Sequence, residues 1–265
     1  MKKYCFILII VAFSCRTSQF PPVGNTAQNI TSNGKLLASL YQQRAAEYRA
    51  LCWQAFNTAH FRLDEILKDQ HSKPLAIITD IDETILDNSP YAVKRSLQGF
   101  DYELASWENW TAKGEADTLS GARSFLKYAS SKGVKIFYLT NRAETERKGT
   151  LNNLLRYDFP DAANDHLILK GAVSSKETRR QQISEKYEVV LLMGDNLADF
   201  SDLFDKKTSE ERLTGVSLLA NEFGKKFIIL PNPSYGDWET SLYQYNYNLT
   251  PVQKDSVIKQ ALKSY

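Results

Sequence analysis

The sequence has few cysteines, no excess of either charge and no long apolar run. Three cysteines in 265 residues cannot build a disulfide framework. A net charge of +2, from 33 basic and 31 acidic side chains, lacks the strongly basic face of a protein that binds nucleic-acid polymers. The apolar run from Tyr4 to Phe13 has ten residues, whereas a membrane-spanning helix needs about 20. The remaining composition, 43% apolar and 24% charged, is typical of a globular protein.

Several catalytic signatures are also absent. The sequence contains no G-x-x-x-x-G-K-[ST] phosphate loop, no G-x-G-x-x-G dinucleotide fingerprint and no G-x-S-x-G nucleophile elbow. The three histidines, His60, His71 and His166, do not stand at a metal-ligand spacing, and none follows a predicted strand. We therefore expect neither a histidine nucleophile nor a histidine metal site.

The first 15 residues have the pattern of an export signal. Lys2 and Lys3 precede the short apolar run, and a small residue and Cys15 follow it. This end resembles a bacterial lipoprotein signal, in which the cysteine becomes the acylated N-terminus. We predict a signal peptide over 1–14, a lipid on Cys15 and a tether over 15–29 that contains proline and glycine. An ordinary signal peptide cut nearby is the alternative.

Apolar residues at three- and four-residue steps predict one long helix from Thr31 to Asp69. The predicted buried face comprises Leu37, Tyr41, Ala45, Tyr48, Cys52, Ala55, Ala59, Leu63 and Ile66. Cys52 has no partner left for a disulfide and is expected to be a buried, small apolar residue. A final helix is predicted over Thr250 to Tyr265, opening at Pro251.

Between these regions, short apolar runs alternate with helical segments, which indicates a parallel sheet covered by helices. The predicted strands are Leu75 to Thr79, Val134 to Leu139, Val189 to Met193 and Phe227 to Leu230. We predict one α/β core over about 73–235, with a smaller helical part from about 30–72 and 236–265.

Polar residues follow three of these strands. Asp80 and Asp82 follow the first, Thr140 follows the second and Asp195 follows the third. Side chains at the carboxyl ends of parallel strands meet at one edge of the sheet. Neighbouring carboxylates repel unless they share a cation or a proton, and an oxygen-rich cluster suits Mg²⁺. These carboxylates, together with the hydroxyl of Thr140 and the positive charge of Lys176, meet the requirements of phosphoryl transfer. Lys176 precedes a predicted helix.

Each feature alone has an ordinary explanation. A lone D-x-D is often a turn cap or a Ca²⁺ loop, a lone Thr-Asn-Arg is usually a helix cap, and Lys176 alone would be a solvated charge. Their occurrence together, each after an apolar strand, favours catalysis.

The motifs resemble those of the haloacid-dehalogenase-like phosphohydrolases, and within them the class C (DDDD-type) acid phosphatases, which include the outer-membrane lipoprotein e type. The similarity runs from about residue 30 to the end; the departure we note, Ile85 for a more usual Val or Met, has no evident consequence. The matching stretches are Ile78 to Tyr91 (ITDIDETILDNSPY), Tyr138 to Arg142 (YLTNR), Gly194 to Phe200 (GDNLADF) and Leu230 to Trp238 (LPNPSYGDW). The resemblance implies a Rossmann-like parallel sheet flanked by helices, with a smaller helical domain.

The resemblance also implies catalytic roles. Asp80 would be the nucleophile that forms an aspartyl-phosphate, and it would also bind Mg²⁺. Asp82 would protonate the leaving group and then deprotonate water, while its backbone carbonyl binds the metal. Thr140 and Lys176 would hold the phosphoryl oxygens.

Further roles concern the metal and the substrate. The resemblance makes Asp195 the third protein ligand of Mg²⁺ and Asp199 a residue that orients a water ligand of the metal. Asn141 fits the family motif and is taken as a substrate contact. Trp107 and Tyr235 would sandwich a nucleobase or a nicotinamide, although both could instead be core or interface residues.

The predicted protein is thus a Mg²⁺-dependent acid phosphatase for phosphomonoesters, preferably 5′-nucleotides. The resemblance implies export to the outer membrane, facing the periplasm or the cell surface, and allows a homodimer. Two alternatives stay open: a phosphatase for other phosphomonoesters, and a surface lipoprotein that binds haem or a nucleotide without turnover. Trp110 is a weaker candidate for ring stacking, with a structural role as its alternative.

Overall fold

A computed structural model describes residues 30–265, so the predicted signal peptide, Cys15 and the tether lie outside the described residues. Among residues 30–265, no helix is both long enough and apolar enough to cross a membrane. The strands are β1 (Leu75–Thr79), β2 (Leu86–Asp87), β3 (Asp117–Thr118), β4 (Lys135–Leu139), β5 (Leu167–Ile168), β6 (Glu188–Gly194) and β7 (Phe227–Ile229). The helices are α1 (Ile30–Arg44), α2 (Ala46–Ile66), α3 (Ser89–Leu97), α4 (Leu104–Thr111), α5 (Ala122–Ser131), α6 (Arg147–Arg156), α7 (Glu177–Lys186), α8 (Ser209–Leu218), α9 (Asp237–Thr240) and α10 (Pro251–Ala261).

Five strands form one parallel sheet in the order β5-β4-β1-β6-β7. The central strand β1 is buried along its whole length, and its side chains alternate between two cores. Ile77 packs in the core on one face, whereas Ala76 and Ile78 pack in the core on the other. The parallel α/β fold expected from the sequence is confirmed; the two-residue strand β5 and the short antiparallel pair β2–β3 were not predicted.

The prediction of one long N-terminal helix is wrong. Ala45 has an extended backbone, with ψ at 127°, and separates α1 from α2. The two helices pack against different neighbours: α1 contacts α3 and α10, whereas α2 contacts α5, β6 and β7. The break thus separates two helices with different neighbours, and no glycine or proline in the sequence marks it.

The predicted apolar face holds only in α2. There Tyr48, Cys52, Ala59 and Leu63 are buried, which confirms the expectation for Cys52. In α1, Leu37 is 68% exposed, and the buried side chains are polar. Polar burial in α1 follows from its neighbours; Gln42, for example, accepts a hydrogen bond of 2.6 Å from Ser234.

The strand order places a crevice at the carboxyl end of β1. The chain proceeds from β1 to β4 and β5 on one side of the sheet, and later to β6 and β7 on the other. Loops after β1, β4 and β6 therefore leave the sheet edge beside one another, at the position where ligands bind in open α/β sheets. The helical division proposed from the sequence stays a prediction; α1, α3 and α10 contact one another in the pairs α1–α3 and α1–α10.

Candidate active site

The loop after β1 is a tight turn that aims two aspartates into the crevice. The backbone N–H of Asp80 still donates to Met193 O of β6 at 2.9 Å, so its position is fixed by the sheet. Ile81 O accepts the N–H groups of Ile85 and Leu86, which closes the turn. Glu83 adopts a left-handed conformation, with φ at 53°, to allow this reversal.

Three carboxylates lie close together, and two of them contact one ammonium group. Single oxygens of Asp80, Asp195 and Asp199 lie within 4.8 Å of one another. The Nζ of Lys176, at the start of α7, lies 2.5 Å from Asp80 Oδ1 and 2.7 Å from Asp199 Oδ1. Asp80, Lys176 and Asp199 are all buried, so little solvent screens their charges.

The charges in this cluster are not balanced. Burial, with the charges of Asp199 and Asp82, raises the pKa of Asp80 to about 7 although Lys176 opposes the shift. Burial and the charges of Asp199 and Asp80 raise the pKa of Asp195 well above its usual value. Burial alone would lower the pKa of Lys176, but Asp199 and Asp80 raise it. One ammonium does not compensate three carboxylates, and the all-oxygen donor set fits a hard divalent cation such as Mg²⁺.

Asp82 lies in a different environment from the other carboxylates. Its Oδ1 accepts hydrogen bonds from Arg142 Nη2 at 2.7 Å and from Asn88 Nδ2 at 2.8 Å. Arg142 Nε also approaches both carboxylate oxygens, at 3.1 and 3.2 Å. The side chain of Asp82 is thus separate from the carboxylate cluster, which contains Asp199 in addition to Asp80 and Asp195.

Thr140 and Asn141, after β4, are held by their neighbours. Thr140 is fully buried, and its Oγ1 accepts the backbone N–H of Arg142 at 3.1 Å. Asn141 lies in the cleft wall, and its Oδ1 accepts a hydrogen bond of 2.8 Å from Arg179 Nη2. Arg179 also donates to Thr140 O at 2.8 Å, so α7 is tied to this loop. The structure brings Asn141 to the cleft but keeps Thr140 beneath its surface.

The site opens into a cleft of about 730 Å³ that is lined by Asp80, Asp82, Lys176 and Asp195 at its inner end. Trp107 and Tyr235 also line it. Trp107 contacts the ring of Tyr91 edge-on, with centroids 5.1 Å apart, and the Tyr235 hydroxyl donates to the buried carboxyl of Glu83. Trp110 is not among the lining residues; it packs against the core, and its Nε1 donates to Asn88 Oδ1 at 2.8 Å.

The outer end of the cleft carries a second charged group, which the sequence did not indicate. Asp101 lies between two lysines, 2.5 Å from Lys35 Nζ and 2.7 Å from Lys254 Nζ. Glu239 lies 3.7 Å from Lys35 and accepts a hydrogen bond from the Tyr243 hydroxyl at 3.2 Å. These contacts join α1, α9, α10 and the segment after α3.

Comparison with known proteins decides the family. The family described as HAD superfamily, subfamily IIIB (acid phosphatase) matches residues 7–238. The chain belongs to this family. It is also similar to the solved class C acid phosphatase from Bacillus anthracis, with 41% identity and a TM-score of 0.86 over 90% of this chain and 100% of that one. A second structure from Bacillus anthracis, a class C acid phosphatase with tungstate bound, is 40% identical with the same TM-score and coverage.

Curated relatives in plants are more distant. Acid phosphatase 1 of Solanum lycopersicum is 28% identical over 166 residues, which cover 60% of this chain and 57% of that protein. The stem 31 kDa glycoprotein of Glycine max is 27% identical over 164 residues, covering 60% and 58%. The chain therefore spans less than three fifths of the length of these relatives. The predicted resemblance is confirmed, and phosphomonoesterase is confirmed as the class of the family.

In this acid phosphatase family member, most of the predicted site residues lie together. Asp80, Asp82, Lys176 and Asp195 line the inner cleft. Sequence reasoning assigned no role to the side chains that hold them: Asn88 and Arg142 on Asp82, and Asn232, whose Nδ2 donates to Asp195 Oδ2 at 2.7 Å. All three stand inside the motifs that carried the resemblance, so position within a motif was the one available signal.

Proposed function

We propose that this chain is a Mg²⁺-dependent acid phosphatase that hydrolyses phosphomonoesters through an aspartyl-phosphate. The observation that carries the proposal is the cluster of three carboxylates at the carboxyl ends of β1 and β6, two of them in contact with buried Lys176, with Asp82 held separately nearby. This arrangement supplies a nucleophile, positive charge and an independent acid in one cleft.

The reaction divides into two displacements at phosphorus. An Asp80 oxygen attacks, the bond between phosphorus and the ester oxygen breaks, and Asp82 gives its proton to the departing oxygen. Asp82 then takes a proton from water, and that water releases phosphate and restores the Asp80 carboxylate. Lys176 holds a phosphoryl oxygen and, by its contact with Asp80, fixes the nucleophile.

Asp80, Asp195 and Asp199 are the residues that would hold the metal, as their grouping supports. When bound, Mg²⁺ supplies neutralisation of the phosphoryl charge. The resemblance-based contact of Thr140 with the phosphoryl group would need its buried hydroxyl to become accessible. The similarity to a class C acid phosphatase described with tungstate, a tetrahedral oxyanion, supports an oxyanion site here.

Nucleotide preference is the finer part of the proposal. Trp107 and Tyr235 line the same cleft as the carboxylates, so their rings are candidates to contact the leaving group. The Arg142 guanidinium lies 5.7 Å from the centre of the Trp107 ring, so that ring already has one cationic neighbour. Ring stacking accepts many bases, which supports broad use of 5′-mononucleotides.

Removal of the metal tests the reaction. Turnover of a chromogenic phosphomonoester should fall below detection after EDTA treatment and return when Mg²⁺ is added. Turnover that persists in EDTA would contradict the metal requirement. A folded protein that turns over no phosphomonoester under either condition would favour the ligand-binding alternative.

Aromatic substitution tests the substrate preference. Because stacking contributes about 1–3 kcal/mol per base, Trp107→Ala should lower kcat/KM for 5′-AMP and nicotinamide mononucleotide about five- to 150-fold. Hydrolysis of glucose 6-phosphate should change little. Trp53→Ala, on the outer surface of α2, is the matched control. An equal loss for all three substrates would mean that ring stacking does not recognise them.

Export and acylation of Cys15 stay predictions, since they rest on residues outside 30–265. Homodimer formation is likewise a prediction from the resemblance.

A further inference from the structure

Trp110 interacts with the site although it does not line the cleft. Its Nε1 donates to Asn88 Oδ1 at 2.8 Å, and Asn88 Nδ2 donates to Asp82 Oδ1 at the same distance. Asn88 is buried, with 2% of its surface exposed. Its backbone is fixed as well, because its N–H donates to the buried Glu83 carboxyl at 2.7 Å. Trp110, Asn88 and Asp82 therefore form a continuous chain of hydrogen bonds, which we call the relay.

The hydrogen bonds of the relay can run in only one direction, with each donor pointing from Trp110 toward Asp82. An indole N–H can donate but cannot accept, so the atom of Asn88 that faces Trp110 has to be the amide oxygen. The NH₂ group of Asn88 must then face Asp82, and the carboxylate oxygen that it contacts must accept. The ionised Asp82 carboxylate requires the same orientation, and Trp110 keeps it when Asp82 is protonated, when the amide could otherwise be turned by half a rotation.

The two oxygens of Asp82 consequently differ. Oδ1 accepts from Asn88 Nδ2, from Arg142 Nη2 and from Arg142 Nε. Oδ2 accepts only from Arg142 Nε, at 3.2 Å, among the hydrogen bonds of the described residues. Three donors on Oδ1 leave no place there for a proton, whereas Oδ2 has room for one.

We propose that Trp110 and Asn88 are positioning residues that make Oδ2 the oxygen through which Asp82 exchanges protons with the leaving group and with water. The inference rests on the proposed function, because it assumes Asp82 as the acid. It gives Trp110 a part in catalysis without contact with substrate, in contrast to the ring stacking considered from the sequence.

The test uses leaving groups of different basicity. An alkyl phosphate needs a proton on its leaving oxygen, whereas 4-nitrophenolate departs without one. Trp110→Phe keeps an aromatic ring but removes the N–H donor, so Asn88 can turn its amide oxygen toward Asp82. We expect kcat/KM for an alkyl phosphate to fall tenfold or more, within the roughly 10²–10⁴-fold that a general acid contributes. The value for 4-nitrophenyl phosphate should stay within about twofold, a margin far smaller than any general-acid contribution.

Two further measurements separate positioning from a structural defect. Inhibition by inorganic phosphate should be unchanged in Trp110→Phe, because Trp110 does not line the cleft and the proposed phosphoryl contact, Lys176, is not altered. Asn88→Ala should give the same leaving-group dependence, and adding Trp110→Phe to it should cause no further loss, since both act on one group. Trp53→Phe is the control for loss of an indole elsewhere on the surface.

The outcomes are distinct. Equal losses on both substrates, or additive losses in the double variant, would overturn the relay and leave Trp110 a packing residue. A weaker binding of nucleotides alone would return Trp110 to ring stacking. Absence of turnover in the unsubstituted protein would instead contradict the proposed function.

Discussion

The two ends of the cleft are built from the same residue types but differ in charge balance. At the inner end, the carboxylates of Asp80, Asp195 and Asp199 are clustered, and Lys176 contacts those of Asp80 and Asp199. At the outer end, two lysines bracket Asp101, and Glu239 is the other acid. The inner end therefore carries an excess of negative charge, whereas the outer end is neutral.

The protonation behaviour of the two ends follows this difference. Burial raises the pKa of Asp80 to about 7, and Lys176 does not offset it. Burial also acts to raise the pKa of Asp101, but Lys35 and Lys254 lower it well below its usual value. Without a further cation, the buried carboxylates of the inner end cost folding free energy, as expected for a site that binds a cation. The ion pairs of the outer end instead stabilise the fold.

Among changes at the two ends of the cleft, loss of the proposed nucleophile at the inner end should have the largest effect on activity. Asp80→Asn removes the attacking oxygen while keeping the shape, so kcat for a chromogenic phosphomonoester should fall at least about 10³-fold. Far-ultraviolet circular dichroism and the melting temperature should show a folded protein. Asp165→Asn, at an exposed position, should retain full activity. Turnover retained by the Asp80 variant would remove this residue from the nucleophile role.

The next prediction separates metal binding from stability. A ligand at 100 times its Kd stabilises the folded state by about 2.7 kcal/mol, so Mg²⁺ should raise the melting temperature of the unsubstituted protein. In Asp195→Asn this rise should vanish. Without metal, the variant should be at least as stable as the parent, because the substitution removes a buried carboxylate that burial and its neighbours disfavour.

Differential scanning fluorimetry with and without Mg²⁺ measures both effects. A variant that is strongly destabilised without metal would mean that Asp195 is held for structure. A Mg²⁺-dependent rise that survives the substitution would place the metal elsewhere.

Much of the inner end could be predicted from the sequence because its residues follow apolar strands. Sheet topology then brings Asp80 and Asp195 together, whatever the details of packing. Asp199 was predicted to act on a water ligand, yet its carboxylate lies within the cluster, since a short helical turn after β6 folds it back. Such local turns are not encoded in strand order.

The outer end could not be predicted in this way. Lys35, Asp101 and Lys254 are far apart in the chain, and each has the appearance of a solvated surface charge. Their meeting depends on the break at Ala45, which directs α1 toward α3 and α10. The same break explains why Leu37 is exposed although it fits the apolar face of α2.

The smallest expected effect concerns the outer end. Asp101→Asn should lower the free energy of unfolding at pH 7 by about 1 kcal/mol, the upper range for partly exposed ion pairs, and leave kcat/KM for a small phosphomonoester within about twofold. Since the pKa of Asp101 is lower in the folded state than in the unfolded chain, its pairing stabilises above the unfolded value of 3.8 and is lost as the pH falls below it. Urea unfolding at pH 7 and near pH 3 should therefore show a difference in unfolding free energy between variant and parent that shrinks in acid.

The matched control is Asp158→Asn, which removes an exposed pair with Arg123 and Lys127 and should have a smaller effect at both pH values. A loss of activity without a loss of stability in the Asp101 variant would instead make the outer end part of the substrate site.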